Sequence, residues 1–217
     1  MSEAENQALK AKLAAGIAEM GLNVDAQKQQ TLIEYVNLIA KWNAVHNLTA
    51  VREPLDMVTL HLLDSLSVLP YIACKRLLDV GAGAGLPSIV LAICLPELQV
   101  TAIDSVQKKV SFMRQVKAQL KLPNLTLING RIEEQEVAED RPDEKFELII
   151  SRAFSEIGLF VNLTKHLLAD EGKWFAMKGA IPQHEFEKSG IKPTEIKVLK
   201  VAGLDAERHL IVFEKNE

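Results

Sequence analysis

The sequence predicts an α/β fold: a doubly wound, mostly parallel seven-stranded sheet, ending in an antiparallel hairpin and preceded by a helical region. Three observations predict it. No strand signal occurs before Arg76, short apolar runs then alternate with helical periodicity, and the first run enters a glycine-rich turn. Such alternation calls for a parallel sheet, because a parallel partner is reached only through a crossover long enough to hold a covering helix.

The helical region spans residues 1–75. Leu9, Leu13, Ile17 and Met20 recur at the spacing of one helix face, which Gly21 ends. Asp25 is placed to cap a second helix by accepting from a first-turn N–H. Lys28 stands where a capping box would need Glu or Gln. Leu32, Val36 and Ile39 form the second apolar stripe. After a turn-rich His46–Thr49, Pro54 opens a third helix with Leu62, Leu66 and Leu69 on one face.

From 76 to 217 the expected strands are Leu77–Val80, Val100–Ile103, Leu125–Ile128, Leu148–Ser151, Trp174–Met177, Ile196–Val201 and His209–Phe213. Helices are expected at Pro87–Leu95, Ser105–Lys121 and Ile157–Leu168, with a weaker turn at Ile132–Val137. The last two strands have no long helix between them, which suits a hairpin.

Composition narrows the class. Of 217 residues, 48% are hydrophobic and 25% charged, which excludes a disordered tail, a collagen-like repeat and a disulfide-stapled mini-protein. The N-terminus does not resemble an export signal. The apolar stretch Leu86–Leu95 is broken by Pro87 and Ser88 and falls far short of the ~20 residues of a membrane helix. Cys74 and Cys94 stand alone without zinc spacing. A cytoplasmic protein with no metal site and no membrane association is the expectation, and nothing points to an obligate protein partner. The net charge of −4 argues against a nonspecific nucleic-acid coat. That total averages opposites, since Ser105–Lys121 carries five basic residues and no acid, whereas Glu133–Glu147 holds eight acids against two basic residues.

The informative stretch is Leu77-Leu78-Asp79-Val80-Gly81-Ala82-Gly83-Ala84-Gly85-Leu86-Pro87. Three alternating glycines between strand and helix allow a sharp turn and a close ligand approach. A dinucleotide fingerprint would need glycine where Leu86 stands, and a phosphate loop would need Gly-Lys-Ser/Thr. A nucleoside-type ligand without pyrophosphate fits better. Asp79 would repel phosphates yet suit an ammonium or sulfonium group. A tight β–α turn without a ligand is the plain alternative.

Asp104 ends the second strand, 19 positions past Gly85, where an α/β nucleoside site places its ribose acceptor. Its two oxygens can accept both hydroxyls of a diol, and it could equally cap the next helix. After the third strand, Asn129-Gly130 turns into Arg131-Ile132-Glu133-Glu134. Ile132 could lie against an adenine face and Glu133 accept from its exocyclic amine. Together the three loops make an adenosine-shaped site.

With those residues in view, the sequence resembles a class I S-adenosylmethionine-dependent methyltransferase, and more closely the bacterial 16S ribosomal RNA methyltransferase G family (glucose-inhibited division protein B). The resemblance covers nearly the whole chain. It rests on Trp42-Asn43, Asn47-Leu48-Thr49, Arg52, His61, Leu63-Asp64-Ser65, Asp79 to Pro87, Asp104-Ser105, Arg114-Gln115-Val116, Arg131 to Glu134, Ser151-Arg152-Ala153-Phe154, Lys178-Gly179 and Glu207-Arg208-His209-Leu210. It implies a Rossmann-like class I fold and methyl transfer to N7 of a guanine in the decoding-region loop of 16S rRNA within the small subunit. It also implies cofactor contacts at Gly81, Leu86, Ile132, Glu133 and Arg152, joining Asp79, Gly83, Gly85 and Asp104 from the loop reading. No family role attaches to the acidic Glu139–Glu144. A methyltransferase with another substrate, or a silent cofactor-sensing module, would share the glycine loop.

Arg152, ending the fourth strand, is expected to meet an anion, either the cofactor carboxylate or an RNA phosphate; a structural salt bridge is the alternative. Arg131 and Lys178 could hold RNA phosphates or simply be solvated. No catalytic His or Cys is expected. His61, Asp64 and Ser65 mimic a hydrolytic triad but lack a nucleophile elbow, so polar contacts between helical region and sheet are expected of them. Tyr35 and Trp42 lie on a helical stripe and suit the core more than a base-stacking platform, with both roles open for Trp42 beside the Asn47 turn.

Overall fold

The computed structural model describes residues 2–137, 144–152, 154 and 156–215. Ala153 and residues 139–143 of the acidic insertion lie outside the described residues. Helix α1 (Glu3–Glu19) opens with a capping box that the sequence reading overlooked, in which Ser2 Oγ accepts from Glu5 N and the Glu5 carboxylate accepts from Ser2 N. Helix α2 (Ala26–His46) is capped by Asp25, which accepts from Lys28 N at 2.8 Å.

The expected third helix is three contiguous pieces: α3 (Pro54–Met57), a π-helical turn over Val58–Leu63, and α4 (Asp64–Leu66). The wide turn packs on α1. A Cβ added to Gly16 would lie 2.5 Å from Leu63 Cδ1, so any larger residue would push the Leu63 side chain aside.

The remaining elements are β1 (Arg76–Val80), α5 (Ser88–Cys94), β2 (Gln99–Asp104), α6 (Gln107–Leu120), β3 (Leu125–Asn129), β4 (Phe146–Ser151), α7 (Ile157–Thr164), β5 (Leu168–Lys178), α8 (Gln183–Ser189), β6 (Glu195–Val198) and β7 (His209–Glu214). The seven-stranded sheet runs β3-β2-β1-β4-β5-β7-β6. Its first five strands are parallel, and β7 runs antiparallel to both β5 and β6. The chain winds outward from β1 to β3 and then returns to β4, so the topological switch falls between β1 and β4. Open α/β sheets bind ligands at the carboxyl ends of the strands beside such a point. Ser151 Oγ donates to Val80 O at 2.8 Å and ties the two strand ends together there.

Several elements differ from expectation, among them β6, which ends at Val198 rather than Val201. Helix α6 begins at Gln107 rather than Ser105, because Asp104 accepts from Val106 N and holds the intervening residues extended. Helix α7 stops at Thr164, and β5 starts at Leu168, which pairs with Phe146 ahead of a register shift. Thr164 Oγ1 accepts from Trp174 Nε1 at 2.9 Å and fastens that junction. Helix α8 was unforeseen, having one aromatic, Phe186, which stacks edge-on against Phe213.

The helical region and the sheet share a core in which Leu9, Leu13, Leu32 and Val36 join one buried cluster with Leu77, Val100 and Phe112. Tyr35 of α2 is wholly buried beside Phe112, and its hydroxyl donates to Ala84 O at 2.7 Å, with Gly85 O at 3.2 Å. The helical region thus braces the glycine loop. Tyr35→Phe removes that bond alone and is expected to cost about 1 kcal/mol of stability in urea unfolding. The loosened loop should bind its ligand several-fold more weakly. Unchanged affinity would show that the brace does not reach the site.

Candidate cofactor and substrate site

The glycine loop leaves β1 with Gly81, Gly83 and Gly85 all at positive φ, where L side chains are strained. Gly81 N and Ala82 N donate to Ile103 O, pulling the loop back over β2. Gly85 has a packing reason, since its Cβ would come within 2.3 Å of Ile89 Cδ1 in α5. Gly81 is different. No atom lies within 4 Å of where its Cβ would be, and it floors an open cleft.

That cleft has a volume of about 470 Å³ and is walled by Asp104, Val106, Ile132, Glu133 and Phe154. Asp104 is 6% exposed. Its Oδ2 accepts from Gly83 N at 2.9 Å, its Oδ1 from Val106 N at 2.8 Å, and Lys109 Nζ lies 3.5 Å away. Each oxygen keeps a second lone pair for a diol. Ile132 is buried, in a single 3-10 turn over Ile132–Glu134. Glu133 is held by Arg131, whose Nε and Nη2 both approach Oε1 at 2.6 Å, which leaves Oε2 for another donor.

Of the other expected site residues, Arg131 also lines this cleft and the rest lie elsewhere. Asp79 is wholly buried under the loop, where Oδ2 accepts from Ser88 N at 3.1 Å and Oδ1 meets no partner among the described residues. Leu86 is buried and does not line the cleft. Arg152 is also absent from the cleft wall and faces a second cavity of about 400 Å³, lined by Leu60, His61, Asp64, Lys178 and Arg208 among others. Its Nη1 donates to Asp64 Oδ2 at 3.1 Å and to Leu60 O at 3.0 Å, the salt bridge weighed as its alternative role. Lys178 lines the same cavity, with Glu185 Oε1 at 3.1 Å and Phe154 O at 3.2 Å. Arg131 is exposed, as a solvated or RNA-facing cation would be.

Sequence reasoning missed the loop brace from Tyr35, because a tyrosine on an apolar stripe looks like any core residue. It also missed Lys109, the cation beside Asp104. Cys94 is buried and Cys74 half-buried, and loss of solvent, joined at Cys74 by the nearby Glu147, pushes both thiols up to about 12. Among the described residues no three His, Cys, Asp or Glu side chains could share a metal ion.

Two buried groups carry opposite pH signatures. Burial raises Asp79 to about 6 against Ser88's hydrogen bonds, so its stabilising contribution is complete below pH 4 and lost as pH rises through 6. Burial, then Arg152, lowers His61 to about 4, so its contribution is present above pH 6.5 and lost as pH falls towards 4. Each amounts to about 3 kcal/mol, and over this shared window they nearly cancel. Asp79→Asn removes one arm. The variant should therefore lose about 3 kcal/mol relative to wild type between pH 6.5 and 4 in urea unfolding. Parallel curves would refute the assignment.

Known proteins show the family to which this site belongs. The family described as rRNA small subunit methyltransferase G matches residues 28–211. The chain belongs to that family. The Ribosomal RNA small subunit methyltransferase G of Methylobacillus flagellatus is 59% identical over 200 residues, covering 92% of this chain and 95% of that protein. The one from Laribacter hongkongensis is 45% identical, covering 94% and 97%. The fold is that of class I methyltransferases. A SAM dependent methyltransferase from Aquifex aeolicus superposes with a TM-score of 0.52 at 21% identity, over 70% of this chain and 89% of that one. TYW2 from M. jannaschii in complex with AdoMet gives 0.52 at 19% identity, over 70% and 73%.

The cleft fits the family's cofactor. Gly81 leaves unfilled the volume a side chain would take, Asp104 and Glu133 offer unused acceptor sites, and Ile132 supplies an apolar wall. No helix of the described residues is long and apolar enough to cross a membrane.

Proposed function

We propose that this methyltransferase uses S-adenosylmethionine to methylate N7 of a guanine in the decoding-region loop of 16S rRNA, within the small ribosomal subunit in the cytoplasm. The observation that carries the reading is the Gly81-floored cleft at the switch point, rimmed by carboxylates. Its two cations, Arg131 and Lys109, already face Glu133 and Asp104, so a pyrophosphate would find no cation unpaired among the described lining residues. A sulfonium nucleoside suits that balance. Asp104 would take the ribose hydroxyls, Ile132 one adenine face and Glu133 the exocyclic amine. Asp79, buried beneath the loop, would bias it towards positive charge, while Gly83, Gly85 and Leu86 set the loop's path.

The bound cofactor supplies an electrophilic methyl group. Purine N7 presents an in-plane lone pair and carries no proton, so this chain has no proton to remove and needs no nucleophile of its own. Its task is alignment at roughly 3–3.5 Å and exclusion of water. The end of β4 joins the two spaces, because Phe154 walls the cleft and Arg152 the second cavity. We assign the second cavity to the RNA, with Arg152 meeting a phosphate because the methylated purine becomes positive and gains nothing from an adjacent cation. Lys178 borders the same cavity, and Arg131 stands on the rim of the cofactor cleft. Calorimetric titration tests the cofactor assignment, with S-adenosylmethionine expected to bind and NAD not. Binding of NAD alone would overturn it.

A further inference from the structure

We propose that Asp64 is a positioning residue that aims Arg152 and Arg208 as a two-armed fork for an RNA phosphate; the proposal rests on the rRNA reading above. Asp64 is buried, 4% exposed, on the short α4 turn directly after the π-helical segment. Its Oδ2 accepts from Arg152 Nη1 at 3.1 Å and its Oδ1 from Arg208 Nε at 2.9 Å. One carboxylate therefore joins three distant parts of the chain: the helical region, the end of β4 and the approach to β7.

A purely structural clasp is a poor account of this arrangement. Burying a carboxylate with two guanidiniums costs desolvation that apolar packing would avoid. The guanidiniums are also not fully sequestered, being 24% and 26% exposed at the wall of the second cavity. Asp64 takes only one N–H edge of each. Leu60 O shares Arg152 Nη1, and Glu207 O takes Arg208 Nη1. Arg152 Nε and Nη2 and Arg208 Nη2 meet no acceptor among the described residues. Each of the cavity's other titratable side chains has at least one partner, although His61 Nδ1 meets none among the described residues. Lys178 lies against Glu185, His61 Nε2 pairs with Thr49 Oγ1, and His209 Nδ1 pairs with Gly179 O.

Two cations sharing one anion leave a net positive wall with donor edges fixed in direction, which matches phosphate geometry. Without the carboxylate, two long side chains regain rotamer freedom and repel each other.

The test compares wild type, Asp64→Asn, Asp64→Glu and Arg208→Gln, using labelled methyl transfer to unmethylated small ribosomal subunits and calorimetric titration of S-adenosylmethionine. Asp64→Asn should raise KM for subunits at least tenfold, with the loss falling on KM rather than kcat and with cofactor affinity within twofold of wild type. Asp64→Glu should recover much of that loss. Arg208→Gln, which leaves the Asp64–Arg152 bond, should flatten the slope of log(kcat/KM) against log salt by roughly 0.7–0.9, one phosphate contact. Unchanged KM in Asp64→Asn overturns the proposal. So does a cofactor affinity loss with unchanged KM, because the arginines would then meet the cofactor carboxylate. If the wild type binds the cofactor but methylates no subunit, the functional reading falls and takes the fork with it. Methylation by wild type with an unaffected Asp64→Asn sinks the fork alone.

Discussion

Asp104→Ala is expected to weaken S-adenosylmethionine binding at least 100-fold while leaving the chain folded. The carboxylate has two roles that alanine cannot fill. It braces the site through Gly83 N and Val106 N, and its remaining lone pairs face the cleft. Hydrogen bonds to a charged group are worth about 1.5–3 kcal/mol each, so losing two from the ligand already exceeds a hundredfold. Asp104→Asn should fall between, since its amide turns an NH₂ towards one of two N–H donors. Calorimetry measures the affinity and circular dichroism the fold. An affinity within threefold of wild type would remove Asp104 from the cofactor site.

Gly81→Val is expected to abolish methyl transfer at a modest cost in stability. The backbone there sits at φ +70, which costs a side chain about 1–2 kcal/mol. Beyond its chain neighbours no atom lies within 4 Å of the Gly81 Cβ position, so the cost of the new side chain is backbone strain, larger for a β-branched one, rather than a clash at Cβ. Valine would therefore fit the folded chain and fill the floor of the cleft. Gly85→Ala offers the opposite balance, as its Cβ would strike Ile89 and the damage would fall on stability first. Melting temperature and cofactor affinity, measured on both variants, separate the two effects. If Gly81→Val still binds the cofactor tightly, the methyl donor lies elsewhere.

The parts of this molecule legible in its sequence are those set by local rules. β1, the glycine loop and Asp104 announce themselves because positive-φ turns need glycine, and a strand ending in an acid places that acid at the sheet's carboxyl edge. Element ends were less legible. Leu168 reads as the last residue of a helix begun at Ile157, yet it pairs with Phe146 and extends β5. Helix α8 has too few apolar residues to register, although Gly190 at φ +69 stops it as a C-cap glycine should. The π-helical turn leaves no local mark, because Gly16 and Leu63, which it brings together, lie on different elements.

The partnerships in the second cavity were the least legible. Arg152 was readable as a cation at the end of β4, but its partner Asp64 lies 88 positions earlier, and Arg208 reaches that same carboxylate from 144 positions away. His61 and Asp64 looked like polar contacts of a helix face. The fold makes them part of a cavity wall, because the helical region packs over the carboxyl ends of β4 and β5.

The central claim is a methyl transfer, and the most direct measurement follows labelled methyl from S-adenosylmethionine into small ribosomal subunits taken from a strain lacking this gene. After digestion, mass spectrometry identifies the nucleotide that carries the label. The account predicts label on N7 of one guanine in 16S rRNA. Label on another nitrogen would contradict the substrate, and no label beside intact cofactor binding would contradict catalysis itself.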